Sequence, residues 1–304
     1  MERVLTRRRF LQTAGALAGA TVIYGAAPRT ARAAGAVSSA QRLGLLTDLT
    51  LCIGCRACEV ACNKVNRLPA PEVSFSSAAV FDTLRRPNAR AFTVVNRYPQ
   101  TRGRLPIYRK VQCMHCDEPA CVSACPVSAL MKTPEGPVIW DEKVCIGCRY
   151  CMTVCPYSIP AYEYSEPYHP RIRKCTMCYD RVVKQGGIPA CVEACPVKAT
   201  IFGTRNALMK VAQDRIATSP AKYVDQIYGA NEAGGASWLY LSPAPFQQVG
   251  FPQLGTTPYG ELTWNYLTAI PVVDILGPLF LVGLYKLSRR REQVALEDKQ
   301  KKGK

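Results

Sequence analysis

Only two histidines, His115 and His169, occur in 304 residues. No G-x-G-x-x-G, P-loop or nucleophile-elbow sequence is present either. With no substrate chemistry in view, the chain is not expected to be catalytic on its own. Cysteine shows a different kind of absence: sixteen are present, and none stands outside four runs of four.

The runs are Cys52, Cys55, Cys58, Cys62; Cys113, Cys116, Cys121, Cys125; Cys145, Cys148, Cys151, Cys155; and Cys175, Cys178, Cys191, Cys195. The last three end in Cys-Pro, at Pro126, Pro156 and Pro196. The third run reads C-x2-C-x2-C-x3-C-P, the spacing that holds cubane [4Fe–4S] clusters in bacterial ferredoxins. A cubane takes four soft thiolates, one per iron, so sixteen cysteines make four sites. In two-cluster ferredoxins the fourth cysteine of a run ligates the other cluster. Small residues between ligands, among them Gly54, Gly147, Ala57 and Ala120, suit a backbone that approaches inorganic sulfide closely.

Other uses of cysteine account for less of the pattern. A disulfide framework suits small exported scaffolds, and gives no reason for the repeated x2, x3 and Pro spacing. Structural zinc uses C-x2-C pairs, but not a fourth cysteine three residues on with a proline behind it. Inert buried thiols explain no spacing at all. His115 lies inside Cys113-Met114-His115-Cys116. Run two already has four cysteines, so His115 is expected to donate a hydrogen bond beside the cluster rather than to ligate it. His169 lies in a Pro-rich stretch and carries no signal.

Both ends carry topological information. Arg7, Arg8, Arg9, Phe10 and Leu11 precede a mild apolar stretch from Ala14 to Ala27, and Ala31-Arg32-Ala33 supplies an A-x-A site. Residues 1–33 therefore read as a twin-arginine export signal. Tyr266 to Leu287 is long enough to span a bilayer, with Arg289, Arg290 and Arg291 following at once, although Pro271, Asp274 and Pro278 interrupt it. The expectation is a membrane anchor over 262–288 with its basic tail, 289–304, in the cytoplasm. An ionisable residue at that depth points to a helix packed against a membrane partner.

Between the ends, 34–220 is expected to form the four-cluster domain and 221–261 an irregular wrapping arm. Residues 137–140, 199–202 and 238–241 read as short strands. Leu208, Val211, Ala212 and Ile216 give a helical stripe that stops near Pro220. The formal net charge of +17 counts every cysteine as neutral. Removing the signal takes away six Arg and one Glu, and four oxidised clusters at about −2 each remove roughly eight more charges. The mature holoprotein is then only about +4, which argues against nucleic acid as a partner. The linker 63–112 holds ten Lys or Arg against Glu72 and Asp82. That excess is expected to balance cluster charge, dock an acidic partner or form a solvated basic surface.

The stretches QCMHCDEPACVSACPVSAL (112–130), VCIGCRYCMTVCPYSIP (144–160) and CVEACPVKATIFGTR (191–205) resemble the four-cluster electron-transfer subunits of respiratory oxidoreductases. The signal, LGLLTDLTLCIGC (43–55), YGANEAGGASWLYL (228–241) and the C-terminal segment are similar to the HybA-type subunit of periplasmic, quinone-reducing nickel–iron hydrogenases. The resemblance implies an α+β fold of two pseudo-symmetric dicluster ferredoxin-like units with loop-rich insertions, built from runs one and four and from runs two and three. It implies four ligand sets: Cys52, Cys55, Cys58 and Cys195; Cys175, Cys178, Cys191 and Cys62; Cys145, Cys148, Cys151 and Cys125; and Cys113, Cys116, Cys121 and Cys155. It further implies a non-catalytic relay on the periplasmic side of the cytoplasmic membrane. Electrons would enter near the first-run cluster from the hydrogenase small and large subunits. They would leave near the second-run cluster to an integral membrane quinone-reactive subunit. A molybdenum- or tungsten-enzyme partner such as formate dehydrogenase, and a metal-stabilised structural or assembly protein, are the alternatives.

Overall fold

The computed structural model describes residues 42–100, 105–166 and 171–302. The expected export signal and His169 lie outside the described residues. One compact unit spans Arg32–Leu262, and a second holds Thr263–Lys304.

The first unit is built on a three-stranded sheet. Its central strand, β1 (Leu43–Asp48), has antiparallel β8 (Thr200–Thr204) on one side and parallel β9 (Trp238–Leu241) on the other. A central strand covered on both faces is apolar at successive positions, and its side chains alternate between two cores. Leu45, Trp238 and Tyr240 enter the core that holds the cysteines, whereas Leu46, Leu239 and Leu241 enter a second core. Helix α5 (Arg205–Thr218) fills that second core with Leu208 and Ala212. The Thr204 hydroxyl caps it by accepting from the Ala207 amide at 3.4 Å. The expected stripe and stop near Pro220 are both met.

Strands β4 (Leu130–Lys132) and β5 (Val138–Trp140) pair as a hairpin, as do β6 (Ala161–Tyr162) and β7 (Ile172–Arg173). The three strands expected from sequence are β5, β8 and β9. Two features were not foreseen. The strand expected in the arm, β9, pairs with β1 and has all four residues buried, so that part of the arm belongs to the core and does not merely wrap it. The linker carries an antiparallel pair, β2 (Val94–Tyr98) and β3 (Ile107–Val111).

Four short helices position the cysteines: α1 (Ala57–Val65), α2 (Ala120–Ser123), α3 (Tyr150–Thr153) and α4 (Ala190–Glu193). Helix α1 packs against α4, and α2 against α3. Proline lacks an amide hydrogen and disfavours helix at the residue before it. Thus α2, α3 and α4 stop short of Cys125, Cys155 and Cys195, each followed by Pro. Run one has no such proline, and α1 continues through Cys62 to Val65.

The bilayer-spanning anchor expected over 262–288 requires correction. A single helix, α6, does run from Tyr259 to Lys302. Among the described residues, however, no helix is long and apolar enough to cross a membrane. Asp274, two prolines and the run Arg289–Arg291 cut the apolar stretch short.

Candidate metal centres

All sixteen cysteines are free thiols, so the disulfide reading fails. Among the described residues no three His, Cys, Asp or Glu side chains close around a single metal ion. The thiols instead ring cavities. One is lined by Cys52, Cys55, Cys58, Cys191 and Cys195. Another is lined by Cys62, Cys175, Cys178 and Cys191, and a third by Cys125, Cys145, Cys148 and Cys151.

Mutual electrostatics group the thiols the same way. Burial first, and then the thiols of Cys195 and Cys55, push Cys52 up to about 11. Cys62 is raised by burial and then by Cys175. Burial, followed by Cys145, Cys148 and Cys125, pushes Cys151 up to about 12. Cys121 rises to about 12 through burial, with Cys113 and Cys155 among the further causes. Each fourth cysteine of a run is thus coupled to thiols of another run. Cys175 also feels Cys113, which brings the fourth and second runs together. Thiols grouped in this way can all ionise only around a cation, which fits the iron of a cluster.

The backbone adds a repeated device. The amide four residues after the last cysteine of a run donates to its sulfur: Ala129 to Cys125 at 3.2 Å, Ile159 to Cys155 at 3.5 Å and Ala199 to Cys195 at 3.2 Å. Each bond is made possible by a left-handed residue just before the donor, Ser128, Ser158 or Lys198, with φ of 54°, 51° and 49°. In run one the helix continues, and the Asn66 side chain donates to Cys62 Sγ at 3.5 Å instead. Donors aimed at a sulfur stabilise its negative charge, so this geometry also fits thiolates held to iron.

Two loops share the sequence Cys-Ile-Gly-Cys-Arg, at 52–56 and 145–149, and the same turn. Gly54 and Gly147 have φ of 71° and 69°, and Arg56 and Arg149 have 61° and 63°. Their surroundings differ. A Cβ on Gly54 would sit 2.4 Å from the Tyr108 ring, which the β2–β3 insertion lays over this loop. Arg56 is 3% exposed and donates to Glu59 Oε2 at 3.1 Å. In the other loop Arg149 is exposed, as are Val144, Ile146 and Tyr150. Cys55 and Cys148 are the only two cysteines classed as exposed.

By contrast the second-run loop is enclosed, with Met114 and His115 buried. His115 Nδ1 accepts from the Val138 amide at 2.8 Å. Burial first, and then Lys174, Lys132 and Lys110, hold its pKa well below the ordinary histidine value. The ring is therefore neutral, its proton is on Nε2, and that buried nitrogen has no hydrogen-bond partner in the protein. Lys110, one of the ten basic linker residues, is only 3% exposed and lines both the first and the second thiol cavity. The linker thus sends part of its charge inward rather than only to solvent.

Thiol-ringed cavities on short helices, with amides aimed at the sulfurs, define a multi-cluster ferredoxin-type protein. Two regions, 51–129 and 106–205, match families described as 4Fe-4S dicluster domains. A protein of Nitratidesulfovibrio vulgaris is 44% identical over 97% of this chain and 80% of its own length. Hydrogenase-2 operon protein HybA of Escherichia coli O157:H7 is 35% identical over 94% of this chain and 95% of its own. The nitrate-inducible formate dehydrogenase iron-sulfur subunit of Escherichia coli K12 is 37% identical over 64% and 66%. The chain belongs to this family of dicluster iron–sulfur electron-transfer subunits of oxidoreductases, related to HybA and to formate dehydrogenase iron–sulfur subunits. Its sixteen cysteines are consistent with four [4Fe–4S] clusters.

Proposed function

We propose that the chain is an exported subunit that relays electrons between a periplasmic catalytic subunit of the nickel–iron hydrogenase type and an integral membrane quinone-reactive subunit. The observation that carries this reading is the nearly end-to-end match to hydrogenase-2 operon protein HybA, against matches to about two thirds to four fifths of formate dehydrogenase iron-sulfur subunits. Each cluster, when bound, takes up and gives back one electron. The protein fixes its position, shields it from water and sets its charge environment.

Thiol grouping supports the four ligand sets set out above: Cys52, Cys55, Cys58 and Cys195; Cys62, Cys175, Cys178 and Cys191; Cys113, Cys116, Cys121 and Cys155; Cys125, Cys145, Cys148 and Cys151. The electrostatic influence of Cys113 on Cys175 favours a line running from run one through runs four and two to run three. Exposure of Cys55 and Cys148 favours the first- and third-run clusters as the two ports. This replaces the exit beside the second-run cluster that the resemblance implied, because Met114 and His115 there are buried. Along α6, Val272, Val273, Leu276, Leu279 and Phe280 are exposed, which suits packing against a membrane partner rather than an independent crossing of lipid.

Metal analysis of the complex purified through this chain tests the assignment. Nickel together with cluster EPR signals is expected. Molybdenum or tungsten in its place moves the chain to the formate dehydrogenase type. A preparation with no cluster signals on reduction overturns the electron-transfer reading.

His115 Nε2–H is the donor we assign to a cluster sulfur of the second run. Such a bond stabilises the reduced, more negative state and raises its potential. His115→Leu should therefore lower the second-run potential, by the roughly 0.5–1.5 kcal/mol of one neutral hydrogen bond. A redox titration followed by EPR reads the shift; no shift with the cluster intact rejects the assignment.

A further inference from the structure

Strand β3 carries a buried cation into the space between two cysteine sets. Lys110 lines the cavity of Cys52, Cys55, Cys58 and Cys195 and also that of Cys62, Cys175 and Cys178, with Cys191 common to both. Its Nζ donates to Gln112 Oε1 at 3.1 Å and stands 4.3 Å from the centre of the Trp238 ring. Gln112 donates to the Tyr240 hydroxyl at 2.5 Å, and that hydroxyl donates to the Lys110 carbonyl at 2.8 Å. Trp238 is held in turn by its indole N–H, which donates to Thr47 Oγ1 at 2.9 Å. The ammonium is therefore held by Gln112, just past β3, and by Trp238 on β9, which Thr47 of β1 fixes in turn.

Among the residues that line both cavities, Lys110 and Cys191 are the only two in common. No carboxylate accepts from the Lys110 ammonium in the described residues. Glu59 is engaged elsewhere, with Arg56 and Arg85. The ammonium thus pairs with no carboxylate among the described residues and lines both thiol cavities.

We infer that Lys110 is a shared counter-charge that raises the reduction potentials of the first- and fourth-run clusters together and offsets the repulsion between them. No bond forms or breaks in the step that it tunes. One electron enters a site, that site becomes one unit more negative, and a fixed cation between the two sites favours the change at either. Lys110 is absent from the lining of the third-run cavity, and the second-run thiols have Lys132 and Lys174 near them instead. Lys110 acts by position and charge; it is not a ligand.

This inference rests on the iron–sulfur reading, and the experiment separates the two. In the purified complex, iron content and EPR signals establish four clusters, each assigned with Cys→Ser variants at Cys55, Cys178, Cys116 and Cys148. A wild-type complex without such signals sinks the reading itself. With clusters present, Lys110→Met should lower the reduced-to-oxidised ratio of the first- and fourth-run clusters about tenfold or more at fixed ambient potential. For one electron that is about 59 mV. The second- and third-run clusters should stay in place, and Lys110→Arg should restore both shifted potentials. Gln112→Leu removes only the acceptor that aims the ammonium, so it should shift the same two clusters by less. Four intact clusters with unmoved potentials in Lys110→Met overturn the inference. So do equal shifts at all four clusters, and so does a Gln112→Leu shift confined to the second or third run, which applies even where Lys110→Met fails to assemble.

Discussion

Cys125→Ser should leave the second-run cluster, whose run it belongs to, and damage the third-run cluster instead. Cys125 lines the cavity of Cys145, Cys148 and Cys151. Its thiol is also among the causes that raise Cys151. The turn explains the crossing. Pro126 ends the helical path, Ser128 adopts φ of 54°, and the Ala129 amide then donates to Cys125 Sγ. These steps carry the fourth sulfur away from its own loop and towards α3. Serine offers a harder oxygen at the same place, which a cubane iron accepts poorly. Iron analysis should fall from about sixteen atoms per chain to about twelve if the whole cluster is lost. The EPR signal removed by Cys148→Ser should be the one removed by Cys125→Ser. Loss of the signal assigned through Cys116→Ser would show that runs do not exchange their fourth ligands. The effect on stability should be large as well, because ligation free energy is also folding free energy in so loop-rich a unit.

The sixteen cysteines were legible because cluster ligation imposes a local spacing, and local spacing is what a sequence displays. Strands β5, β8 and β9 and the α5 stripe were legible for the same reason, since each satisfies its period within a few residues. The crossing of runs became legible through the resemblance, as no residue between Cys62 and Cys195 announces their partnership. What escaped was non-local. The linker looked like a basic surface segment because its ten Lys or Arg stand against only Glu72 and Asp82. Only the fold reveals that Lys110 turns inward while Arg97 stays outside. The C-terminal segment misled in the opposite direction. Its length met the requirement of a membrane span, but Asp274 and its prolines left it short of the necessary apolarity.

The second large effect is expected at Glu59, where the two Cys-Ile-Gly-Cys-Arg loops diverge. The sequence continues Ala57-Cys58-Glu59 in one and Tyr150-Cys151-Met152 in the other. Glu59 is buried and receives Arg56 Nη2 at 3.1 Å, Arg85 Nη2 at 2.6 Å, Arg85 Nη1 at 3.2 Å and the Val95 amide at 2.6 Å. One carboxylate thereby ties the first-run loop to β2 and to the segment before it. Glu59→Ala would leave the Arg56 guanidinium buried with only the carbonyls of residues 74, 75 and 77 for company. Breaking a buried pair by removing one partner costs roughly 3–5 kcal/mol. For a unit of this size that is a fall in Tm of about 6–20 °C. Glu59→Gln keeps an acceptor but not the charge, so it should fall between. Arg149→Ala, at the matching place in the exposed loop, removes an exposed side chain that stands over the Tyr162 ring and makes no ion pair among the described residues, and should stay within about 0.5 kcal/mol of wild type. Thermal denaturation of the holoprotein, with the first-run EPR signal followed alongside, reads all three variants. An equal response at Glu59 and Arg149 would mean that the β2–β3 insertion does not clamp the first-run cluster. A large, selective loss at Glu59 would identify the insertion as the element that braces the first-run loop from behind while leaving Cys55 at the surface.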